Sequence, residues 1–229
     1  MALFAISDLH LALSGDKPMS VFGENWNNHD ENIKRNWIEK IKEQDTVLIA
    51  GDISWSMNIE DGIRELQWIN ELPGNKIIIK GNHDYWWSSI TKLNKMYDNM
   101  HFIQNNYYTY KDYAICGTRG WICPGGESFT EHDKKIFDRE LNRLRLSLDG
   151  AVSAGYKKFI VMLHYPPTND KFIQSGFTEI FQEYGVEKVI YGHLHGPFHY
   201  KVLNGNLDGI QYIITSCDYL NFEPLLILN

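Results

Sequence analysis

The sequence is short of cysteine, of positive charge and of long apolar runs, and each shortage excludes something. Three cysteines, Cys116, Cys123 and Cys217, cannot form a complete disulfide set, so a reducing compartment is expected. Lys and Arg number 22 against 29 Asp and Glu, a net charge of −7, and no stretch is basic. That balance argues against broad electrostatic gripping of nucleic acid. No apolar stretch reaches the ~18 residues needed to span a bilayer. The opening Met1-Ala2-Leu3-Phe4-Ala5-Ile6-Ser7 lacks the basic and long apolar regions of a secretory signal and is expected to be a strand. The expectation is a cytoplasmic protein without a membrane partner. Repeats, Pro- or Ser-rich linkers and charge blocks are also missing, so residues 1–229 are expected to form a single domain.

What is present is an ordinary globular composition, 43% apolar and 14% aromatic. Short runs rich in β-branched residues stand at 2–7, 46–50, 76–80, 113–118, 158–163, 186–191 and 211–216. Helical stripes lie between them. Ile33, Trp37, Ile38 and Ile41 share one face, and Ile59, Ile63, Leu66 and Ile69 another. Ile90, Leu93 and Tyr97 follow Ser88-Ser89 as cap, and Ile136, Phe137, Leu141, Leu144 and Leu148 follow Thr130 as cap. Strands alternating with helices predict a layered α/β fold. The tail is predicted to be antiparallel: a strand at 198–203, a turn at Asn204-Gly205-Asn206, then 211–216 and 224–228. Two long aperiodic segments, 11–31 and 119–130, are candidate lids.

The ends of the runs are polar in a particular way. The first ends in Asp8-Leu9-His10, the second in Gly51-Asp52 and the third in Gly81-Asn82-His83-Asp84. The fifth ends in His164 and the sixth in Gly192-His193-Leu194-His195. Sites in open α/β sheets lie outside the carboxyl ends of strands, so five such ends can converge on one crevice. In an extended chain residues i and i+2 face the same way, which would aim Asp8 with His10, and His193 with His195, at one side. An Asp, His and Asn inventory suits Mn, Fe or Zn ions in oxygen and nitrogen coordination. Any one of these motifs is an ordinary turn or cap; five in this order, each after an apolar run, point to a metal site.

This ordered set resembles the calcineurin-like metallophosphoesterases, whose signature runs D-x-H, GD, G-N-H-D/E, H and G-H-x-H. It spans residues 8 to 195. The resemblance implies a four-layer α/β fold, a β-sandwich flanked by helices, with two divalent metal ions (Mn, Fe or Zn) as cofactors. It implies that Asp8, His10 and His195 hold one metal, that Asn82, His164 and His193 hold the other, and that Asp52 bridges. His83 is the implied catalytic histidine at the leaving group, with the adjacent Asp84 a candidate to assist it. The implied activity is phosphoester hydrolysis by metal-activated hydroxide, with a small phosphodiester, phosphomonoester or nucleotide as partner.

Departures narrow that reading. The protein Ser/Thr phosphatases of the family continue the second motif as G-D-x-x-D-R-G, whereas here it is Gly51-Asp52-Ile53-Ser54-Trp55-Ser56-Met57. Trp55 replaces the Asp that would orient the catalytic histidine, and Ser56 replaces the phosphate-gripping Arg. His164-Tyr165-Pro166-Pro167 is similar to the H-x-P-P of bacterial cyclic-nucleotide phosphodiesterases in the family. Candidate substrate contacts are Arg119 as a bidentate phosphate ligand, Tyr85 (or Trp86 or Trp87) as a stacking ring, and His29 or Trp26 from the first long loop. The competing readings are a non-catalytic scaffold for a partner protein and a nuclease acting on DNA or RNA ends. Oligomeric state is not legible.

Overall fold

A computed structural model of the chain describes residues 1–13, 19–125 and 129–229. In chain order the elements are β1 (Leu3–Ile6), α1 (His29–Lys40), β2 (Thr46–Ile49), α2 (Ile59–Asn70), β3 (Asn75–Ile79) and α3 (Ile90–Leu93). Then come β4 (Met100–Ile103), β5 (Tyr108–Tyr110), β6 (Tyr113–Thr118), α4 (Glu131–Ser153), β7 (Lys158–Leu163) and α5 (Gly176–Tyr184). The chain finishes with β8 (Val186–Tyr191), β9 (Gly205–Leu207), β10 (Ile210–Ile214) and β11 (Leu225–Leu228).

The strands form two sheets, in the orders β11-β1-β2-β3-β4 and β5-β6-β7-β8-β10-β9. Strands β1 to β4 are mutually parallel, as are β6, β7, β8 and β10, while β11, β5 and β9 add antiparallel edges. Parallel strands covered on both faces carry continuous apolar runs, which is why these were visible in the sequence. Alternate residues serve different layers. Leu3 and Ala5 of β1 join Leu48, Ile77, Ile160 and Met162 between the two sheets. Phe4 and Ile6 face outward onto Ile33 and Trp37 of α1 and Leu66 and Ile69 of α2. On the other outer face, Phe137, Leu144 and Leu148 of α4 and Phe177 and Phe181 of α5 cover β6, β7 and β8. The result is the expected four layers, helices outside and two sheets within.

Local departures from expectation have physical reasons. Residues 198–203 are not a strand: a 3-10 turn runs over Gly196–Lys201, with Pro197 in its first turn lacking an N–H to donate to a ladder. The hairpin turn sits at Asp208-Gly209, both at positive φ (50° and 81°), and Gly205–Leu207 is strand β9. The tail is only partly antiparallel, since β10 runs parallel to β8. Ile38 and Ile63 flank their stripes and are exposed, and α3 is one turn long, capped by Ser89. Thr130 caps α4 with a reciprocal capping box to Asp133, as its position suggested. Strands β4 and β5, short and interrupted by polar residues, carried too weak a period to be read; helix α5 was missed although Phe177, Ile180, Phe181 and Tyr184 stand at helical spacing behind the Ser175 cap. All three cysteines are free and buried. Among the described residues no helix is long and apolar enough to cross a membrane.

Candidate metal centre

The loops leaving β1, β2, β3, β7 and β8 meet at one end of the sandwich, and hydrogen bonds tie them to one another. Asp8 N donates to Gly51 O (2.9 Å), His10 N to Asp52 O (3.0 Å), and Gly192 N to His164 O (3.1 Å). The amide of His193 donates to both oxygens of Asp8 at 3.1 Å. Two glycines are dictated by close approach: a Cβ at Gly81 would collide with the Asp52 carboxylate, and one at Gly192 with Asp8 and Ser7. The backbone is also bent where the ligand-type residues sit. Asp8, His10, Asp52 and His193 have φ of 58°, 44°, 53° and 73°, in the left-handed region. Non-glycine residues settle there only when the surroundings over-determine them. Strand alternation therefore does not aim Asp8 and His10; two left-handed residues do, a correction to the extended-chain argument.

Donor atoms gather in two overlapping groups. Atoms of Asp8, His10 and His195 lie within 4.8 Å of one another, as do atoms of Asp8, Asp52 and His164. Asn82 Oδ1 stands beside the second group, 2.7 Å from His164 Nε2 and 3.0 Å from His193 Nδ1. The orientation of the ring nitrogens suits cations. His164 Nδ1 faces the carbonyl of Ala50 (3.0 Å), so it donates and presents the lone pair of Nε2 inward. His195 Nδ1 donates to Asp218 (2.9 Å), leaving Nε2 3.3 Å from His10 Nε2 and 3.4 Å from Asp8 Oδ1. His10 Nδ1 is buried without a hydrogen-bond partner among the described residues. Histidine nitrogens and carboxylate or amide oxygens thus face one another across short distances, and this oxygen and nitrogen donor set fits divalent metal.

Burial opposes ionisation of Asp8, yet the hydrogen bond and charge of His195 outweigh it and hold its carboxyl well below the usual range. Asp52 is likewise held down, with His164 the main counterweight to its burial. Both carboxylates are charged at neutral pH and nearly inaccessible, at 0% and 1% exposure, an arrangement that a cation compensates.

Above the groups opens a cavity of about 600 Å³. Its floor includes His10, Asp52, His193 and His195; its walls include Met19, Phe22, Trp26, Trp55, Leu194 and Phe198. His83 lines it too, with its amide on Asp52 Oδ1 (2.8 Å) and its ring 4.2 Å from that of Trp55. No lysine or arginine lines this cavity among the described residues.

A family model for calcineurin-like phosphoesterases matches residues 1–197. The chain belongs to the calcineurin-like phosphoesterase family. The phosphoesterase is also 25% identical over 190 residues to the Gene 66 protein of Mycobacterium phage D29, covering 83% of this chain and 75% of that protein. It is 36% identical over 78 residues to the Gene 66 protein of Mycobacterium phage L5, a stretch of 34% of this chain and 37% of that protein's length. Among solved structures, the phosphopantetheinyl hydrolase of Mycobacterium tuberculosis superposes with a TM-score of 0.58 at 12% identity, over 99% of this chain and 95% of that one. At that identity the match speaks for the fold.

Six residues expected at the site of the phosphoesterase stand elsewhere. Asp84 does not touch His83's ring; it is fully buried and accepts from the amides of Asp52 (2.9 Å), Ile53 (2.8 Å), Ser54 (3.3 Å) and Gly81 (2.7 Å) and from Trp86 Nε1 (2.9 Å). It is a positioning residue that fastens the β2 and β3 loops together, because a carboxylate is the one small side chain able to accept that many N–H groups. Burial and the nearby Asp52 charge push its pKa up to about 6 against those donors. Arg119 lies outside the cavity lining, beside Glu140 (3.8 Å) and over Trp121 (4.5 Å). His29 opens α1 and is buried with Nε2 3.1 Å from Leu9 O, behind the cavity wall rather than in it. Tyr85 is exposed and only edge-on to His83, 6.4 Å between centroids. Trp86 is buried and Trp87 packs on Phe102, so neither ring faces the cavity.

Of the two candidate lids, residues 19–26 form a cavity wall, while 14–18 and 126–128 lie outside the described residues. Asp218 was missed. Its only sequence signal is a carboxylate shortly after the seventh run. Its arrival at the site depends on a bridge between Ser7 and Ser216 that joins the ends of β1 and β10.

Proposed function

We propose that the phosphoesterase is a dinuclear hydrolase of small phosphomonoesters or phosphodiesters whose ester group is apolar or aromatic. The observation carrying this is two overlapping donor groups on the floor of a cleft with apolar walls. Asp8, His10 and His195 would hold one divalent ion, and Asn82, His164 and His193 the other, with Asp52 between them. Ions held there supply Lewis acidity to a phosphoryl oxygen and to an attacking water.

The chain's own residues do the rest. Asp52 orients His83 through its amide, and Trp55 packs on both His83 and His10, fixing the rings and narrowing the water-accessible space. Burial holds His83 below its ordinary pKa, so at neutral pH the uncharged ring offers one N–H to the leaving oxygen. Phe22, Leu194 and Phe198 take the ester group. With no cationic residue described in its lining, this cavity favours one charged phosphoryl group within it over a polyphosphate or a nucleic acid strand.

The test is turnover of p-nitrophenyl phosphate and bis-p-nitrophenyl phosphate by Mn-reloaded protein. Turnover that exceeds that of a polar ester such as glycerol phosphate supports the reading. No turnover of any of these by protein carrying two metals per chain overturns it.

A further inference from the structure

Four cations surround one carboxylate at the carboxyl ends of β3 and β6. Lys80, Arg119, Arg139 and Arg143 line a cavity of about 220 Å³ together with Thr118 and Glu140. Glu140 is fully buried and already saturated. Its Oε1 receives Arg139 (3.0 Å) and Arg143 (2.9 Å) and lies 3.8 Å from Arg119, and its Oε2 receives the hydroxyl of Thr118 (2.5 Å). Among the described lining residues, four positive charges against one negative leave a net +3. In a protein whose overall charge is −7 this is a local reversal of sign.

Part of that charge has no partner among the described residues. Among the described residues Arg119 Nε is buried without a hydrogen-bond partner, and the face of the guanidinium is occupied by Trp121. Lys80 makes no hydrogen bond or ion pair among the described residues. A guanidinium with an unmet buried N–H is costly unless an acceptor arrives.

We propose that this cavity is an anion site, separate from the metal centre, for a tetrahedral phosphate group. Guanidinium groups and an ammonium converging from several sides match the three or more acceptor oxygens of a phosphate better than the two of a carboxylate. The site adjoins the metal loops: Lys80 precedes Gly81-Asn82, and the carbonyl of Arg119 accepts the amides of His164 and Tyr165 (both 3.0 Å). Tyr165 in turn packs between Trp121 (5.0 Å) and His193 (4.1 Å). The occupant is either free inorganic phosphate, the product of ester hydrolysis, or a second phosphate carried by a substrate. The cavity itself does not depend on the proposed reaction.

The test is equilibrium dialysis of metal-loaded full-length protein against radiolabelled inorganic phosphate, comparing wild type with Arg143→Gln and Lys80→Gln. Circular dichroism and metal content serve as folding controls. Two equivalents bound by wild type, with one weakened about tenfold or more in both variants, is the expected result. Because Lys80 does not touch Glu140, its variant leaves the carboxylate paired and keeps the test independent of a folding failure in Arg143→Gln.

A second arm separates the sources. If phosphate binds free, KM for p-nitrophenyl phosphate and for a bisphosphorylated ester changes equally little in the variants. If it arrives on the substrate, KM rises for the bisphosphorylated ester alone. One equivalent in wild type, or a second equivalent unaffected in both folded variants, overturns the proposal. Failure here with normal ester turnover leaves the hydrolase reading standing, and loss of turnover with phosphate binding intact does the reverse.

Discussion

Asp218 accepts the Nδ1–H of His195 at 2.9 Å and thereby turns the other nitrogen of that ring toward Asp8 and His10. The same carboxylate accepts the amide of Gly196 at 3.0 Å, so ring and loop are held together. A carboxylate behind a ligand-type histidine sets its tautomer and raises its basicity. Burial would lower the His195 pKa, but Asp218 and Asp8 raise it to about 10.

Replacing this partner should weaken metal binding without unfolding the protein. Asp218→Asn is expected to lower affinity for Mn ions about 10–100-fold. Metal content measured at limiting Mn, alongside circular dichroism, checks it; unchanged affinity in a folded variant would remove Asp218 from the site.

Asp84 should matter for stability before chemistry. Asp84→Asn places an amide nitrogen among five N–H donors and is expected to cost about 3 kcal/mol. Urea unfolding of wild type and variant measures this. A midpoint shift equivalent to under about 1 kcal/mol would show that the two loops do not rely on this carboxylate.

His83 touches the cavity but belongs to neither donor group. His83→Ala is therefore expected to lower kcat about 10²–10⁴-fold with metal content and KM nearly unchanged. Loss of bound metal in this variant would instead make His83 a ligand.

One pH effect lies away from the centre. Asp45 accepts the amides of Ala2 (2.7 Å) and Lys42 (3.0 Å), and although burial opposes it, these bonds hold its carboxyl below the ordinary value. A depressed folded pKa means the stabilisation is complete above about pH 4, the unfolded value, and is lost as pH falls through the lower folded one. Asp45→Asn should be less stable than wild type near neutrality, the gap closing as pH drops below about 4. A gap that widens in acid would contradict the assignment; thermal melts across pH 2–7 decide.

Much of the architecture was visible in the sequence because parallel strands buried on both faces must be apolar throughout, as Val47-Leu48-Ile49 and Ile77-Ile78-Ile79 are. Elements stabilised mainly by their neighbours were not. Tyr108–Tyr110 is a three-residue edge strand whose pairing with Tyr113–Ile115 defines it. The Asp208-Gly209 hairpin turn had a local signal, but Asn204-Gly205 offered the same one nearby, and register with Ile210 chose between them.

At the site, the sequence by itself determined which residue types terminate the strands and in what order, since Asp8, Asp52, Asn82, His164 and His193 each follow an apolar run. Tertiary structure decided their aim. The left-handed backbone at Asp8, His10, Asp52 and His193 is held by bonds between loops distant in sequence, such as His193 N to Asp8, which no local pattern encodes. It also decided that Asp84 ties loops and that Arg119 faces a second cavity. Asp218 reaches His195 only because the ends of β1 and β10 pair through Ser7 and Ser216. A residue's type is a property of the chain, whereas its partner is set by packing between segments that meet only once the sheets have closed.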